Sequence, residues 1–193
     1  MVAKMKYMII IIILSLVLLS CKKDDDSSST TAELGEGTWV TSCHSSGDYY
    51  RIKKLTVSGD NFTNTNEYHT DSSCSTDYDM WSNEWGSLTI GAARSDGSGH
   101  RFTLTLTDIT YKPQTSSVVS WGNTNSWCSL TGWELDTAKS VAGRTCGSST
   151  EWDTGKAVYG EYIIDGNDLY WDFDADEYPS VSSTSGYYKF TKQ

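Results

Sequence analysis

Short runs of alternating apolar and polar residues fill the sequence from residue 35 onward. In the run 102–111, apolar side chains at positions 102, 104 and 106 alternate with threonines at positions 103, 105 and 107. Leu169, Trp171 and Phe173 repeat this spacing later in the chain. Because successive side chains of a strand point to opposite faces, the pattern predicts an antiparallel sheet with one buried and one solvated face.

Similar runs predict further strands at residues 37–43, 49–57, 62–69, 87–90, 116–121, 157–164 and 186–191. The run 116–121 is the expected partner of the run 102–111. Hairpin turns are predicted at 58–61 and 165–168, since the glycine and asparagine residues there tolerate a positive φ. Residues 133–141 are expected to hold one or two helical turns that Gly143 ends.

The number and spacing of these runs predict an all-β fold. About eight or nine strands follow one another through short turns, and the sequence has no β-α-β spacing. An antiparallel up-and-down barrel of about eight strands is the expected architecture, with a β-sandwich as the alternative. In the run 62–69, one face of the predicted strand carries Phe62, Asn64, Asn66 and Tyr68. The bulky residues in the runs 102–106 and 169–173 favour a packed core.

The first twenty residues have the pattern of a secretory signal. Lys4 and Lys6 precede an apolar run at 9–19, which is shorter than the roughly 20 residues that a spanning helix needs. The segment Leu18-Leu19-Ser20-Cys21 resembles the lipobox of bacterial lipoproteins. The resemblance implies cleavage before Cys21 and attachment of diacylglycerol to its thiol, so residues 1–20 are expected to be a signal peptide.

The residues after Cys21 indicate a tether to the outer membrane. Lys22 in the second mature position resembles the sorting pattern for that membrane, and the acidic run 24–26 resembles the tether of lipoproteins exported to the cell surface. Residues 21–36 are therefore expected to form a lipidated linker, and residues 37–193 a single β-domain. This resemblance implies an outer-membrane lipoprotein of the cell envelope, facing either the periplasm or the cell surface.

Four cysteines remain after Cys21, and an even number in an exported chain predicts disulfides. Three pairings are possible, of which we favour the two that join neighbours in sequence. No C-x-x-C pair is present, which disfavours a zinc site. The expected bonds are Cys43–Cys74 and Cys128–Cys146.

Gly37-Thr38-Trp39 resembles the G-x-W signature of the calycins, the superfamily of lipocalins, fatty-acid-binding proteins and avidins. In that superfamily the tryptophan closes one end of an antiparallel barrel, and a basic residue of the last strand lies over its indole. The resemblance implies a lipocalin-like barrel in which Lys189 or Lys192 covers Trp39, and we take Lys189 as the expected residue. A cation over an indole contributes roughly 0.5–2 kcal/mol.

Charge and composition disfavour several classes of function. The formal charge of −10 argues against nucleic-acid binding, which needs clustered Lys and Arg. The chain has three histidines and no recognisable nucleophile motif, so we expect no catalytic residues, no enzyme activity and no cofactor. The acidic run 172–177 departs from the EF-hand pattern at Glu177 and Ser183, where that pattern needs Gly and Glu. A solvated acidic loop without a metal site is expected there.

Tryptophan is abundant, with eight residues, and several lie in or beside segments predicted to be irregular. Trp suits stacking on sugars or lining a small-molecule pocket, but it also caps the open ends of small barrels. The candidate ligand-binding residues are Trp81, Trp85, Trp121, Trp127 and Trp133.

Two functions follow from these features. The first is a non-catalytic lipoprotein that binds a small apolar ligand or a glycan at the mouth of its barrel. The alternative is a structural or adhesion lipoprotein with a filled barrel, whose Trp- and Tyr-rich loops contact a protein or polysaccharide. An inhibitor of a secreted hydrolase on the same scaffold is a further possibility. The sequence leaves the oligomeric state open.

Overall fold

The structure, a computed structural model, describes residues 34–94, 96–179, 181 and 188–193. The predicted signal peptide, Cys21 and all but the last three residues of the predicted linker lie outside the described residues. Within the described residues there are twelve strands: β1 (Gly37–Val40), β2 (His44–Ser46), β3 (Tyr49–Ser58), β4 (Asn61–His69), β5 (Asp77–Ala93), β6 (Gly99–Pro113), β7 (Lys139–Ser140), β8 (Thr145–Cys146), β9 (Ser149–Thr150), β10 (Ala157–Asp165), β11 (Asp168–Asp174) and β12 (Phe190–Lys192).

Eight of these strands close into an antiparallel up-and-down barrel. Going round the ring, the strands are β1, β3, β4, β5, β6, β10, β11 and β12. Closure occurs at β1, where Trp39 pairs with Leu55 on one side and with Lys192 on the other. β2 and β7 extend the edges of β3 and β6, and β8 and β9 form a separate hairpin. The predicted barrel is confirmed, rather than the alternative sandwich.

The two ends of the barrel differ in the length of their connections. Short connections join β3 to β4, β5 to β6 and β10 to β11 at one end of the barrel, which we call the turn end. Both predicted hairpin turns are among them, and Gly59 and Gly166 have φ values of 57° and 61°. The long connections, which include 41–48, 70–76 and 114–156, lie at the opposite end, which we call the mouth.

Bulky apolar side chains pack the half of the barrel toward the turn end. The side chains that are at most 1% exposed there include Leu55, Phe62, Phe102, Leu104, Val158, Tyr162 and Leu169. Gly160 allows the Phe102 ring to cross its strand, since a Cβ at position 160 would lie 2.1 Å from Phe102 Cζ. Burying such residues contributes about 25 cal/mol per Å² of apolar surface and supplies much of the stability of the domain.

Two predicted elements are wrong. Residues 116–121 belong to an α-helix, α1 (Ser116–Thr124), rather than to a strand, because the Thr115 hydroxyl caps the helix by accepting from the Val118 N–H. The partners of β6 are instead β5, β10 and the short β7. Residues 133–141 contain no helix and contribute only the short β7. A 3-10 turn lies earlier, at Trp127–Ser129.

The predicted strand at 87–90 is part of the 17-residue β5. Bulges interrupt the register of β5, and Ser87 within it has a φ of 56°, which breaks the alternation that would reveal so long a strand. The predicted last strand, 186–191, overlaps β12, but its first two residues lie outside the described residues.

Both predicted disulfides are present. Cys43–Cys74 joins the connection before β2 to the connection between β4 and β5, and Cys128–Cys146 closes a loop within the long connection 114–156. Each bond is expected to contribute roughly 3 kcal/mol by restricting the unfolded chain. Both bonds lie in the long connections at the mouth, where they link segments that no short hairpin holds together.

Candidate functional site

A cavity of about 460 Å³ lies inside the barrel toward the mouth, among β3, β4, β11 and β12. Its volume falls in the range of roughly 300–1,000 Å³ that is typical of small-molecule sites. The cavity is lined by two cations, two asparagines, one carboxylate and four aromatic residues: Arg51, Lys53, Asn64, Asn66, Trp171, Asp172, Phe173, Tyr188 and Phe190.

The inward positions of β3 and β4 change from apolar to polar toward the mouth. On β3, Leu55 is buried in the core, and Arg51 and Lys53 follow on the same face because strand side chains alternate. On β4, Asn64 and Asn66 continue the face that begins with the buried Phe62. The same two strands therefore build both the packed core and the polar wall of the cavity.

Neutral partners hold the Arg51 guanidinium in place. Its Nη2 donates to the Tyr188 hydroxyl at 2.7 Å, its Nη1 to the Tyr68 hydroxyl at 3.5 Å, and its Nε to His44 Nε2 at 3.4 Å. Burial lowers the pKa of His44, and the charges of Arg51 and Lys53 lower it further. A neutral imidazole can accept from Arg51 through Nε2 while Nδ1 donates to the Ser42 carbonyl at 3.1 Å. Among the described residues, the hydrogen-bond partners that position Arg51 are thus all uncharged.

Lys53 lies under the Tyr188 ring, with Nζ 4.1 Å from the ring centroid. Burial, together with the Arg51 charge, lowers the pKa of Lys53 to about 8, while Asp172 opposes the shift. Among the described residues, no carboxylate oxygen lies within 4.0 Å of Arg51 or Lys53. The cavity therefore holds two cations that form no ion pair with a described carboxylate, although Asp172 on its wall offsets part of the Lys53 charge from a longer distance. The net charge of the chain is −10.

Three buried polar atoms of the cavity residues have no hydrogen-bond partner within the described part of the chain. They are the amide oxygens of Asn64 and Asn66 and the indole nitrogen of Trp171. Most buried polar groups in folded proteins are hydrogen-bonded, so these three atoms are exceptions. Each has almost no accessible surface, and none of them is exposed to the cavity.

A second, smaller cavity of about 120 Å³ lies nearby, lined by Tyr49, Tyr68, Tyr78, Asp79 and Trp81. Asp79 is 9% exposed and accepts a hydrogen bond from the Tyr111 hydroxyl at 2.9 Å. Burial raises the pKa of Asp79 to about 6, and the hydrogen bond from Tyr111 opposes that shift. This carboxylate is therefore held in an environment that favours its neutral form.

The five tryptophans predicted to bind ligand do not form one site. Trp81 lines the smaller cavity, whereas Trp85 is 1% exposed and packs in the core. Trp133 is buried against Tyr111. Trp121 is 48% exposed and its ring centroid lies 5.0 Å from that of Trp127.

Sequence reasoning missed the residues that line the larger cavity. The alternation in the run 169–173 predicts only that Trp171 lies on a buried strand face, and no sequence motif marks Arg51, Lys53, Asn64 or Asn66 as part of a site. One sequence pattern could have revealed the site. Arg51 and Lys53 on β3, and Asn64 and Asn66 on β4, occupy the same alternating positions as the apolar residues of those strands that point into the barrel.

Lys192, and not the expected Lys189, lies over Trp39. Lys192 Nζ is 5.2 Å from the indole centroid, because Lys192 is the cross-strand partner of Trp39. Lys189 precedes β12, and its Nζ lies 2.5 Å from a carboxylate oxygen of Asp168. Gly37 is needed next to this pair, since its φ is 147° and a Cβ there would come within 3.0 Å of Lys192 Cε.

Among the residues that the structure describes, no three His, Cys, Asp or Glu side chains are grouped as a metal site would require. In the acidic run, Asp174 and Asp176 are exposed, and Asp172 borders the larger cavity. Within the same described ranges, no helix has both the length and the apolar character needed to cross a membrane. The chain matches no protein-family model and no curated protein.

Proposed function

We propose that this protein is a lipid-anchored lipoprotein of the bacterial envelope that binds a small organic anion in the mouth of its barrel. The observation that carries the proposal is the pair Arg51 and Lys53, which point into the cavity without an ion-paired carboxylate among the described residues. The proposal involves no reaction, because the cavity residues supply charge, hydrogen bonds and aromatic surface.

The energetics of the cavity favour an anionic ligand over a purely apolar one. Moving a cation out of water costs free energy unless an opposite charge or hydrogen bonds compensate for it. An apolar ligand would displace water from Arg51 and Lys53 and leave their charges uncompensated. A carboxylate or sulfonate would form charge-assisted hydrogen bonds with both residues, which are roughly twice as strong as neutral ones.

The geometry of Arg51 supports a binding role rather than a structural ion pair. A guanidinium has five N–H donors, and three nitrogens of Arg51 each already donate once to Tyr188, Tyr68 or His44. These contacts fix the plane of the group and leave donors for a ligand. Such preorganisation lowers the entropy that is lost on binding.

The membrane anchor is part of the same proposal and rests on the lipobox-like segment that ends at Cys21. Replacing Cys21 with Ser should release the protein from the membrane fraction, because the variant has no thiol to carry the diacylglycerol that would hold it in the membrane. The measurement is fractionation followed by immunoblotting. A variant that was still processed and still sedimented with membranes would contradict the anchor.

Anion binding can be tested with 8-anilinonaphthalene-1-sulfonate, an anionic aromatic probe whose fluorescence rises on binding. A soluble variant beginning at Glu33 contains all twelve described strands and both disulfides. We expect Lys53→Met to weaken probe binding at least tenfold at pH 7. Lys54→Met is the matched control, because Lys54 is exposed on the outer face of the same strand. Equal binding by wild type and both variants would refute the cavity as the anion site.

One observation favours the alternative of a partner-binding surface protein. Trp121 is 48% exposed, and its indole packs on Trp127 in the long connection 114–156. Large exposed aromatic residues are enriched at protein and sugar contacts. If this surface carries the function, Trp121→Ala should abolish binding to whole cells or polysaccharide while leaving probe binding in the cavity unchanged.

A further inference from the structure

We infer that Lys53 is a carbonyl-reactive amine that forms a reversible imine with a small oxo acid, which is an aldehyde or ketone that also carries a carboxylate. The inference rests on the proposed anion binding and deepens it by naming the ligand class. It is drawn from Lys53 and Arg51 together, because both side chains line the larger cavity and neither forms an ion pair with a described carboxylate.

One tyrosine brings the two cations to the same place. The Tyr188 ring centroid lies 4.1 Å from Lys53 Nζ and 5.4 Å from Arg51 Cζ. Lys53 and Arg51 also lie two positions apart on β3 and therefore on the same face of the strand. An amine and a guanidinium, two groups of different chemistry, are thus presented to one region of the cavity.

The amine of Lys53 is free of hydrogen bonds to the described part of the chain, where its contact is the Tyr188 ring. Asp172 lines the same cavity but acts on Lys53 through its charge, from beyond ion-pair distance. Lys53 is half-buried and so keeps accessible surface. When Lys53 is deprotonated, its lone pair is therefore available to a molecule in the cavity.

The environment of Lys53 favours the neutral form of the amine, which is the nucleophile. Burial and the Arg51 charge lower the pKa of Lys53 to about 8, and the Asp172 charge opposes the shift. At pH 8 about half of the Lys53 side chains are then deprotonated, compared with less than about 1% for a lysine of ordinary pKa. Desolvation and a neighbouring cation are the two means by which proteins activate lysines for imine formation.

The imine forms from the ligand and the amine with the loss of one water molecule. The Lys53 Nζ lone pair attacks the carbonyl carbon, a C–N bond forms, and the carbonyl oxygen takes up the proton that the nitrogen loses. A second proton, from solvent, lets this oxygen leave as water, and the nitrogen lone pair completes a C=N bond in a protonated imine. Hydrolysis reverses both steps, so the ligand is held and released unchanged.

The guanidinium of Arg51 selects a carbonyl compound that is also an acid. Its remaining N–H donors can form charge-assisted hydrogen bonds with a carboxylate while the carbonyl carbon of the same ligand lies at Lys53. A neutral aldehyde has no group for Arg51, and a simple carboxylic acid has no electrophile for Lys53. An oxo acid uses both residues.

Reductive trapping tests this inference, because sodium cyanoborohydride converts an imine into a stable secondary amine. The soluble variant beginning at Glu33 would be incubated at pH 8 with glyoxylate, an oxo acid, or with acetaldehyde, which has no carboxylate. Peptide mapping by mass spectrometry measures the label on each lysine and distinguishes it from label on the N-terminal amine. We expect glyoxylate to label Lys53 roughly tenfold more than any other lysine, because the larger fraction of free amine outweighs its lower basicity.

Two comparisons with the same protein test the role of the carboxylate and do not depend on a variant folding. Acetaldehyde should show a smaller preference for Lys53 than glyoxylate does. An excess of glycolate, which has the carboxylate but no carbonyl group, should protect Lys53 from glyoxylate because it occupies Arg51.

Two variants then assign the selectivity to residues. Arg51→Gln should reduce the labelling of Lys53 by glyoxylate more than its labelling by acetaldehyde, because only glyoxylate loses a contact with the guanidinium. Lys54→Met, the matched control on the outer face of β3, should label at Lys53 as the wild type does. Circular dichroism and thermal unfolding of each variant confirm that the barrel is intact.

The failure of this inference differs from the failure of the proposed function. If glyoxylate labels Lys53 no more than the other lysines while 8-anilinonaphthalene-1-sulfonate binds as expected, the imine is wrong although anion binding stands. If acetaldehyde shows the same preference as glyoxylate and glycolate does not protect, Lys53 is reactive but the oxo acid class is wrong. If neither the sulfonate probe binds nor Lys53 is labelled, both proposals are refuted.

Discussion

Replacing Lys53 with Met should stabilise the unliganded barrel while it weakens anion binding. The pKa of Lys53 falls from 10.5 to about 8 on folding, chiefly because of burial. Each pKa unit corresponds to about 1.4 kcal/mol, so the shift sets an upper limit of about 3 kcal/mol. Lys53 is half-buried and retains some solvent contact, which lowers the expected gain to about 1–3 kcal/mol in the free energy of unfolding at pH 7.

The gain should depend on pH in a defined direction. Because the pKa is depressed in the folded state, the unfolded chain binds more protons between pH 8 and pH 10.5. The destabilisation by Lys53 is therefore complete below pH 8 and is lost as the pH rises through this window. At pH 9.5 the advantage of Lys53→Met should be about half of its value at pH 6.5, or less.

Urea unfolding followed by tryptophan fluorescence measures this difference at both pH values. The control is Lys54→Met, which removes the same charge from the exposed outer face of β3 and should change the free energy of unfolding by less than about 0.5 kcal/mol. A Lys53→Met barrel that is less stable than wild type at both pH values would refute the reasoning. It would show that the ammonium makes compensating contacts and is not held there for a ligand.

Three further substitutions test other parts of the structure by urea unfolding. Asp79→Asn keeps the acceptor for the Tyr111 hydroxyl and should stabilise the domain by about 1–3 kcal/mol at pH 8. Because folding raises the pKa of the Asp79 carboxyl, the gain should shrink as the pH falls below 6, to about 0.5 kcal/mol or less at pH 4, and a gain that did not change with pH would contradict this. Gly160→Ala should destabilise the domain by about 1–3 kcal/mol, because the added methyl group clashes with the Phe102 ring. An unchanged urea midpoint would contradict the close packing of Phe102 on Gly160. Lys192→Met should lower the free energy of unfolding by about 0.5–1 kcal/mol, because Lys192 covers the Trp39 indole at the turn end. Lys189→Met should lower it by less, and equal effects of the two substitutions would refute the contact between Lys192 and Trp39.

The strands that the sequence predicts well are those in which burial follows the alternation. In the runs 102–111 and 169–173 the apolar positions face a dry interior, so the pattern and the structure agree. The segment 116–121 was predicted wrongly because its serines and valines are compatible with both a strand and a helix. A single hydrogen bond, from Val118 N–H to the Thr115 hydroxyl, begins a helix there.

The cavity could not be predicted in the same way. A polar residue in an alternating run is normally assigned to the solvated face, whereas Arg51 and Lys53 are polar residues on the inner face. Their placement depends on the register of β3 against its neighbours and on a barrel that is too wide toward the mouth for side chains to fill. Tryptophan abundance indicated aromatic surface, but composition does not distinguish the core position of Trp85 from the cavity position of Trp171.

Native mass spectrometry of the domain beginning at Glu33, purified from a bacterial periplasm without detergent, tests anion binding most directly. The wild type and Lys54→Met should carry an additional mass that is released on denaturation and that ionises as an anion, and Lys53→Met should emerge without it. A bare wild-type mass, or an adduct retained equally by Lys53→Met, would contradict the assignment of Arg51 and Lys53 to an anionic ligand.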